Sequence, residues 1–225
     1  MVKIGVVLAG CGHLDGSEIH EAVLTAYFLQ LEGAEVVFCA PDVEQMHVIN
    51  HLTGQVAAGE RRNVLVESAR IARGEIVAAD KLKARDIDAL VLPGGYGAAK
   101  NLCTFATQGA QCTVNPAVET LVRDVHKAGK PIGAICIAPA LVAKVLGKEG
   151  PTLTIGSDVG TAKAMAACGA RHENRRVDEI TIDRRLRIVS TPAYMLGPRI
   201  TDVAKGIAAL CKEVVSMART PQAVG

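Results

Sequence analysis

The chain has 225 residues, of which 49% are hydrophobic and 3% aromatic, with no tryptophan. This length fits one compact domain, and its core must be built from aliphatic side chains. The formal net charge is only +2, and no basic run is interleaved with aromatic residues, which argues against a nucleic-acid partner.

Strand-like and helix-like segments alternate along the chain, which predicts an α/β fold with a doubly wound, mostly parallel sheet. In the first half we expect strands at 3–9, 35–39 and 88–92 and an amphipathic helix at 17–32. In the second half we expect strands at 131–135 and 152–155, a helix after Cys136 that includes the apolar run 140–146, and helices at 115–128, 160–168 and 198–218. Segments 179–183 and 186–191 flank a short polar turn, which indicates a β-hairpin.

Residues 41–83 do not follow the minimal alternation of strand and helix. They contain a helix-like stretch at 63–73 and loops around His51 and Gly54, and we expect an insertion near the carboxyl ends of the strands. The sequence therefore predicts a single domain over residues 1–219, interrupted at about 41–83, and a C-terminal tail at 220–225.

The cysteines and the N-terminus indicate the cellular compartment in which the protein is expected. The seven cysteines are an odd number without CxxC spacing, which argues against a disulfide framework and a zinc ribbon. Most of them are expected to be small buried hydrophobic residues, namely Cys39, Cys103, Cys168 and Cys211. The N-terminal apolar run is too short for a signal peptide, and no run approaches the ~20 residues of a membrane span. We therefore expect a soluble cytoplasmic protein that binds neither membranes nor nucleic acid.

One cysteine lies where a buried strand should turn into a helix. The segment KPIGAICIAPA, residues 130–140, has small alanines on both sides of Cys136 and a proline suited to the first helical turn. This is the layout of a nucleophile elbow with cysteine in place of serine. The positive end of the helix dipole would favour the thiolate form of Cys136.

A glycine-rich loop could provide hydrogen-bond donors beside this cysteine. In LPGGYGAAKNL the N–H groups of Gly94 and Gly95 are unobstructed by side chains, and with the N–H of Ile137 they could form an oxyanion hole. An ordinary glycine-rich turn before a helix is the alternative.

Two carboxyl groups on the first predicted helix could exchange protons with the site. Glu18 and Glu21 are three residues apart and therefore adjacent on one helix face. A buried carboxyl beside the thiol would have a raised pKa and could act as a proton carrier. A capping or solvated glutamate is the alternative for each.

Three further polar residues are candidates for the lining of a pocket, namely His51, Asn63 and Asn101. No histidine pair has metal-ligand spacing with a nearby carboxylate, so we predict no metal site.

Together these motifs resemble a known superfamily. VLPGGYGAAKNL and AICIAPA resemble the class I glutamine amidotransferase-like fold of the PfpI-type proteases, deglycases and glyoxalases III. GCGHLDGSEIHEAV, LTIGSD and TPAYML resemble more narrowly the enhancing-lycopene-biosynthesis (ElbB-type) family, also called sigma cross-reacting proteins, over residues 1–217. The resemblance implies a flavodoxin-like three-layer α-β-α sandwich, a homodimer and no cofactor.

The same resemblance implies roles for individual residues. Cys136 would be the nucleophile, Glu21 the acid, and Gly95 and Ile137 the oxyanion donors. Many members of the superfamily have histidine directly after the cysteine, where this chain has Ile137. Peptide hydrolysis by a Cys–His pair is therefore disfavoured.

The function implied is that of a cofactor-independent, glutathione-independent glyoxalase, a lyase that converts the small aldehyde glyoxal to glycolate, with a family link to isoprenoid biosynthesis. One alternative is a cysteine-based redox sensor or regulatory binding protein with little catalysis. A glutaminase is a third hypothesis, but no His-x-Glu pair stands late in the chain to complete its triad.

Overall fold

A computed structural model gives the structure of the protein and describes residues 1–220. The strands in chain order are β1 (Lys3–Val7), β2 (Glu35–Ala40), β3 (Ile49–Asn50), β4 (Gln55–Val56), β5 (Ile76–Ala78), β6 (Ala89–Leu92), β7 (Ile132–Ile135), β8 (Thr152–Leu153), β9 (Arg171–His172), β10 (Thr181–Asp183) and β11 (Ile188–Thr191). The helices are α1 (Ile19–Leu31), α2 (Val64–Ile71), α3 (Tyr96–Lys100), α4 (Phe105–Gln108), α5 (Pro116–Lys127), α6 (Ala138–Leu146), α7 (Val159–Ala167) and α8 (Ile200–Arg219).

Seven of these strands form one central sheet in the order β10-β11-β7-β6-β1-β2-β5. Only β10 runs antiparallel to its neighbour, and all other pairs are parallel. The predicted α/β fold with a mostly parallel sheet is therefore confirmed, and so is the hairpin, which consists of β10 and β11.

Helices cover both faces of the sheet and create two hydrophobic cores. Along β6, Leu90 and Leu92 point into the core built with α3 to α7, whereas Ala89 and Val91 point into the core built with α1, α2 and α8. Side chains of a strand alternate between the two faces, so a strand buried on both sides must be apolar throughout. This explains the continuous apolar runs at the inner strands.

The segment 41–83 contributes to this architecture in two ways. Its strand β5 joins β2 at the edge of the central sheet, and α2 packs against both strands. The hairpin of β3 and β4 is a separate two-stranded sheet. At three residues, β5 is too short for hydrophobic periodicity to reveal it. Of the predicted tail, only Thr220 falls within the described residues.

The expected strand at 152–155 is shorter than predicted and does not join the central sheet. It appears as β8 and pairs with β9 in a second small sheet. No helix within residues 1–220 is long and apolar enough to cross a membrane.

The sheet topology determines where a ligand site would lie. From β1 the chain proceeds to β2 and β5 on one side, and from β6 it proceeds to β7 and β11 on the other. The direction of winding thus reverses between the adjacent strands β1 and β6, and ligands of such sheets bind at the carboxyl ends beside this switch point. The loops after β1, β6, β7 and β11 meet there.

Candidate functional site

Cys136 occupies a sharp turn between β7 and α6. Its backbone has φ of +62°, a left-handed conformation that is uncommon for a non-glycine residue and typical of strained functional turns. Its N–H donates to the carbonyl of Thr191 at 2.9 Å, which ties the turn to the end of β11. The structure therefore contains the elbow geometry, and the cysteine in it is only 7% exposed.

Glu21 lies in the first turn of α1 and is completely buried. Its Oε2 accepts a hydrogen bond from the N–H of Gly94 at 2.9 Å, and its Oε1 accepts one from the N–H of Tyr194 at 3.1 Å. Two backbone donors, one from the loop after β6 and one from the loop after β11, thus fix both carboxyl oxygens.

Gly94 separates this carboxyl from the cysteine. A Cβ atom at position 94 would lie 2.3 Å from Cβ of Cys136 and 2.6 Å from Oε2 of Glu21. These distances are far below van der Waals contact, so only glycine allows the two functional groups to approach each other.

Burial raises the pKa of Glu21 to about 8. Its low-dielectric surroundings disfavour the charged form, and the negative charge of Glu18 adds to this effect, while the N–H donors of Tyr194 and Gly94 lower the pKa. The folded protein therefore retains a proton that the unfolded chain would release, and the free energy of unfolding falls as pH rises from about 4.5 towards 8.

Glu18 has the capping role that was one of its two interpretations. It is the N-cap of α1, and its Oε2 accepts from the N–H of Glu21 at 2.7 Å. Its own N–H donates to the carbonyl of Gly94 at 2.9 Å. Glu18 thus holds the start of the helix against the glycine loop, and it acts on the site through its charge.

The thiol of Cys136 differs from the expectation. Burial raises its pKa well above the ordinary value, and the charge of Glu21 raises it further, whereas hydrogen bonds from the amides of Gly95 and Ile137 lower it. The expected stabilisation by the helix N-terminus is present in the Ile137 amide, but burial outweighs it. The prediction of a resting thiolate is therefore wrong, because the site is drier than the sequence suggested.

The three expected oxyanion donors divide into two groups. The amides of Gly95 and Ile137 face the sulfur of Cys136. The N–H of Gly94 is already bound to Glu21, so it positions the carboxyl instead. Gly95 has φ of +96°, and a Cβ there would lie 2.3 Å from the backbone N of Glu18, which explains the second glycine of the loop.

Asn63 and Asn101 make structural contacts. Asn63 caps α2, where its Oδ1 accepts from Val66 at 3.0 Å. The amide of Asn101, which is 9% exposed, donates to the carbonyls of Ala9 and Asp15 at 2.8 Å each. Its Oδ1 also accepts from the N–H of Met46 at 3.0 Å, so Asn101 joins the loops after β1 and β2.

His51 connects the hairpin of β3 and β4 to the loop after β1. Its Nε2 accepts from the N–H of Leu14 at 3.3 Å, and its Nδ1 donates to the carbonyl of Ile49 at 3.0 Å. The same Nε2 is 3.7 Å from Oδ1 of the buried Asp15. These contacts support the loop that precedes α1.

The sequence interpretation missed Tyr194. Its N–H holds Glu21, and its hydroxyl is hydrogen-bonded to Nδ1 of His20 at 2.8 Å. The preceding Ala193 is buried and has φ of +45°, so a strained turn aims the amide of Tyr194 at the carboxyl. The available signal was the position of TPAYML at the carboxyl end of a strand adjacent to β7.

The described residues contain no group of three or more histidine, cysteine or carboxylate side chains arranged to hold a metal ion. One surface cavity of about 390 Å³ lies between Leu82, Pro116 and Leu121, and its lining includes neither Cys136 nor Glu21.

This combination of elbow, buried glutamate and glycine loop agrees with the comparison to known proteins. The model of the DJ-1/PfpI family matches residues 11–179, the greater part of the chain. The chain belongs to the DJ-1/PfpI family. Its flavodoxin-like fold is that of the class I glutamine amidotransferase-like proteins, as the resemblance of the motifs implied.

Two curated relatives and one solved structure are similar over nearly the whole chain. The human "Glutamine amidotransferase-like class 1 domain-containing protein 3, mitochondrial" is 47% identical over 96% of this chain and 83% of its own length. The "ES1 protein homolog, mitochondrial" of Rattus norvegicus is 46% identical over 96% of this chain and 84% of its own. An Ehrlichia chaffeensis structure, described as an isoprenoid biosynthesis protein with an amidotransferase-like domain, is 36% identical, with a TM-score of 0.90 over 96% of this chain and 99% of that one.

A more distant structure, glyoxalase III from Candida albicans, has a TM-score of 0.59 at 13% identity and covers 96% of both chains. At this level of identity it shows a shared fold alone. The names of the curated relatives contradict the expectation of a cytoplasmic protein, since both are described as mitochondrial.

Replacement of Gly94 by alanine should disrupt the contact between thiol and carboxyl. We expect Gly94→Ala to lower the free energy of unfolding by about 1–3 kcal/mol, as overpacking does in other buried sites. Urea denaturation measures this change in the free energy of unfolding. Gly160→Ala is the control, because a Cβ there approaches only Asp158, at 3.5 Å, and it should change stability by less than about 1 kcal/mol. Equal stabilities of the two variants would contradict the close approach.

Asn101→Ala should be the more damaging of two asparagine replacements. It leaves the buried carbonyl of Ala9 without its hydrogen-bond donor, at an expected cost of about 2–4 kcal/mol. Asn63→Ala removes a helix cap and should cost about 1 kcal/mol. Denaturation curves measured side by side test the ranking, and an Asn63 variant that is the less stable of the two would refute it.

Proposed function

We propose that the protein is a cofactor-independent glyoxalase of the lyase class, which converts glyoxal and water to glycolate. The observation that supports it best is the proximity of the buried Glu21 carboxyl to Cys136, since a Cβ atom at position 94 would lie 2.6 Å from Oε2 of Glu21 and 2.9 Å from Sγ of Cys136. A nucleophile and an acid–base group in such proximity are the two parts that this reaction requires.

In the first step the sulfur of Cys136 adds to one aldehyde carbon. Because the thiol is protonated at rest, the ionised fraction of Glu21, which is the minor form near neutral pH at a pKa of about 8, would take the S–H proton as the carbon–sulfur bond forms. The resulting oxyanion would lie near the amides of Gly95 and Ile137, which already face the sulfur. Return of the proton from Glu21 to the oxyanion gives a neutral hemithioacetal.

In the second step Glu21 moves a proton between the two carbons. The carboxylate removes the hydrogen from the carbon bonded to sulfur, which leaves an enediolate. The carboxylic acid then protonates the neighbouring carbon, and the hydroxyl proton of the first carbon passes to the oxygen of the second. The product is a glycolyl thioester, which water hydrolyses to glycolate and free Cys136. A pKa of about 8 suits a group that must both accept and donate near neutral pH.

The burial of Cys136 favours a small substrate. Cys136 is 7% exposed, and Ile137 stands where a Cys–His protease would have its base. A two-carbon aldehyde needs neither an extended groove nor that histidine. We also propose that the protein is a member of the ElbB-type subfamily. The proposal includes a link to isoprenoid biosynthesis and a homodimeric assembly. The description of the Ehrlichia chaffeensis structure as an isoprenoid biosynthesis protein supports the link to isoprenoid biosynthesis.

The alternative of a redox sensor at Cys136 is less well supported. Sensor cysteines are accessible and have a low pKa, whereas burial shields Cys136 and raises its pKa.

The enzymatic proposal is tested by following glyoxal without glutathione by NMR. We expect glycolate to form with the wild type and with Cys168→Ser, a cysteine outside the site, and to fall at least about a thousandfold with Cys136→Ala, because the nucleophile is lost. Glycolate production by a pure Cys136→Ala preparation at the wild-type rate would refute the proposal.

A further inference from the structure

Two side chains beside the reacting groups join the elements that carry the Glu21 carboxyl and one of its donors. The hydroxyl of Tyr194 and Nδ1 of His20 are 2.8 Å apart and form a hydrogen bond. His20 directly precedes Glu21 in the first turn of α1, and Tyr194 lies in the loop after β11. This loop is therefore bound to α1 at two points, because His20 binds the side chain of Tyr194 and Glu21 binds its N–H.

The turn that carries this N–H is strained. Ala193 is buried and has φ of +45°, a conformation that persists in non-glycine residues only where the surroundings hold it. The carbonyl of the same peptide group accepts from the N–H groups of Leu196 and Gly197 at 3.1 and 3.0 Å. These bonds lie within the loop and move with it. The hydrogen bond between His20 and Tyr194 instead fixes the loop relative to α1.

The two oxygens of the carboxyl depend on this hydrogen bond to different degrees. Oε2 accepts from the N–H of Gly94, and the glycine loop is joined to α1 a second time, since the carbonyl of Gly94 accepts from the N–H of Glu18 at 2.9 Å. Oε1 accepts from the N–H of Tyr194 at 3.1 Å. For that loop the second link to the start of α1 is the side-chain bond to His20, so loss of this bond should release Oε1 and leave Oε2 in place.

We propose that His20 and Tyr194 are a positioning pair for Glu21, in which the hydrogen bond between their side chains keeps the N–H of Tyr194 on the carboxyl during proton transfer. The inference rests on the proposed function, in which this carboxyl accepts and returns protons beside Cys136. Both residues act through the carboxyl rather than on the substrate. An amide donor favours the charged form of a carboxyl, so the pair stabilises the carboxylate that accepts the thiol proton.

The titratable side chains that face Glu21 are Glu18, Cys136 and Tyr194. Burial raises the pKa of Glu21, and among the contacts that oppose burial the N–H of Tyr194 has the largest effect. His20 is also 3.9 Å from Oε1 of Glu18, so a positive charge on His20 would favour ionised carboxyls nearby. Two replacements separate this charge from the hydrogen bond, since both remove the charge but only an asparagine amide can still bind the Tyr194 hydroxyl.

A carbon-13 NMR titration of Glu21 tests the pair in the wild type, Tyr194→Phe, His20→Leu and His20→Asn. In Tyr194→Phe and His20→Leu we expect the pKa of Glu21 to rise from about 8 by about half a unit or more, because its amide donor is no longer held in place. In His20→Asn it should stay near the wild-type value. Tyr27→Phe is the control, because it removes an exposed hydroxyl of the same helix outside the site and should not change this pKa.

The pH profile of glycolate formation provides a second measurement. A rise of half a unit lowers the ionised fraction of Glu21 at neutral pH about threefold. Tyr194→Phe and His20→Leu should therefore be about threefold slower than the wild type near neutral pH, and the difference should disappear at alkaline pH, where the carboxyl is ionised in every variant. A rate reduced by the same factor at every pH would contradict the positioning role.

Two results of the titration would overturn the proposal. One is a pKa of Glu21 that is the same in Tyr194→Phe as in the wild type. The other is an equal rise in His20→Asn and His20→Leu, which would assign the effect to the charge of His20. The titration requires no turnover, so it is independent of the proposed function: wild-type protein that forms no glycolate would refute the glyoxalase, whereas the titration decides on the pair.

Discussion

The buried carboxyl of Glu21 is the constraint on which the rest of the site depends. A carboxyl without solvent must have hydrogen-bond partners, and here they are the amides of Gly94 and Tyr194. Because those amides come from the loops after β6 and β11, one side chain of α1 fixes both loops. The sulfur of Cys136, at the end of the strand between them, then has no position except beside the carboxyl.

The sheet order makes this convergence possible. The strands β6, β7 and β11 are neighbours, and their carboxyl ends meet beside the switch point of the winding. The sheet order also leaves the site without solvent, since apolar helices on both faces exclude water from the strand ends. The same dryness that raises the pKa of Glu21 into the neutral range also keeps Cys136 protonated at rest. Nucleophile and base therefore have to act as one unit.

The sequence predicts features that depend on neighbouring residues better than features that depend on contacts between distant parts of the chain. The alternation of elements and the elbow at Cys136 were accessible, because small residues and a proline near the turn are local signals. The amide of Tyr194 was not, since a backbone N–H carries no signature of its residue type. The protonation of Cys136 was also missed, because the helix N-terminus is a local effect whereas burial is a property of the whole fold. The strand β5 was missed as well, because three residues are too few to show a pattern.

The most direct test of this account is a carbon-13 NMR titration of the glutamate side-chain carboxyls, with Glu21 assigned from the signal missing in Glu21→Gln. The account predicts an apparent pKa of about 8 for Glu21 and a lower value in Glu18→Gln, where the neighbouring charge is removed. Titration of Glu21 near the ordinary glutamate value of about 4.3 in the folded wild type would contradict it.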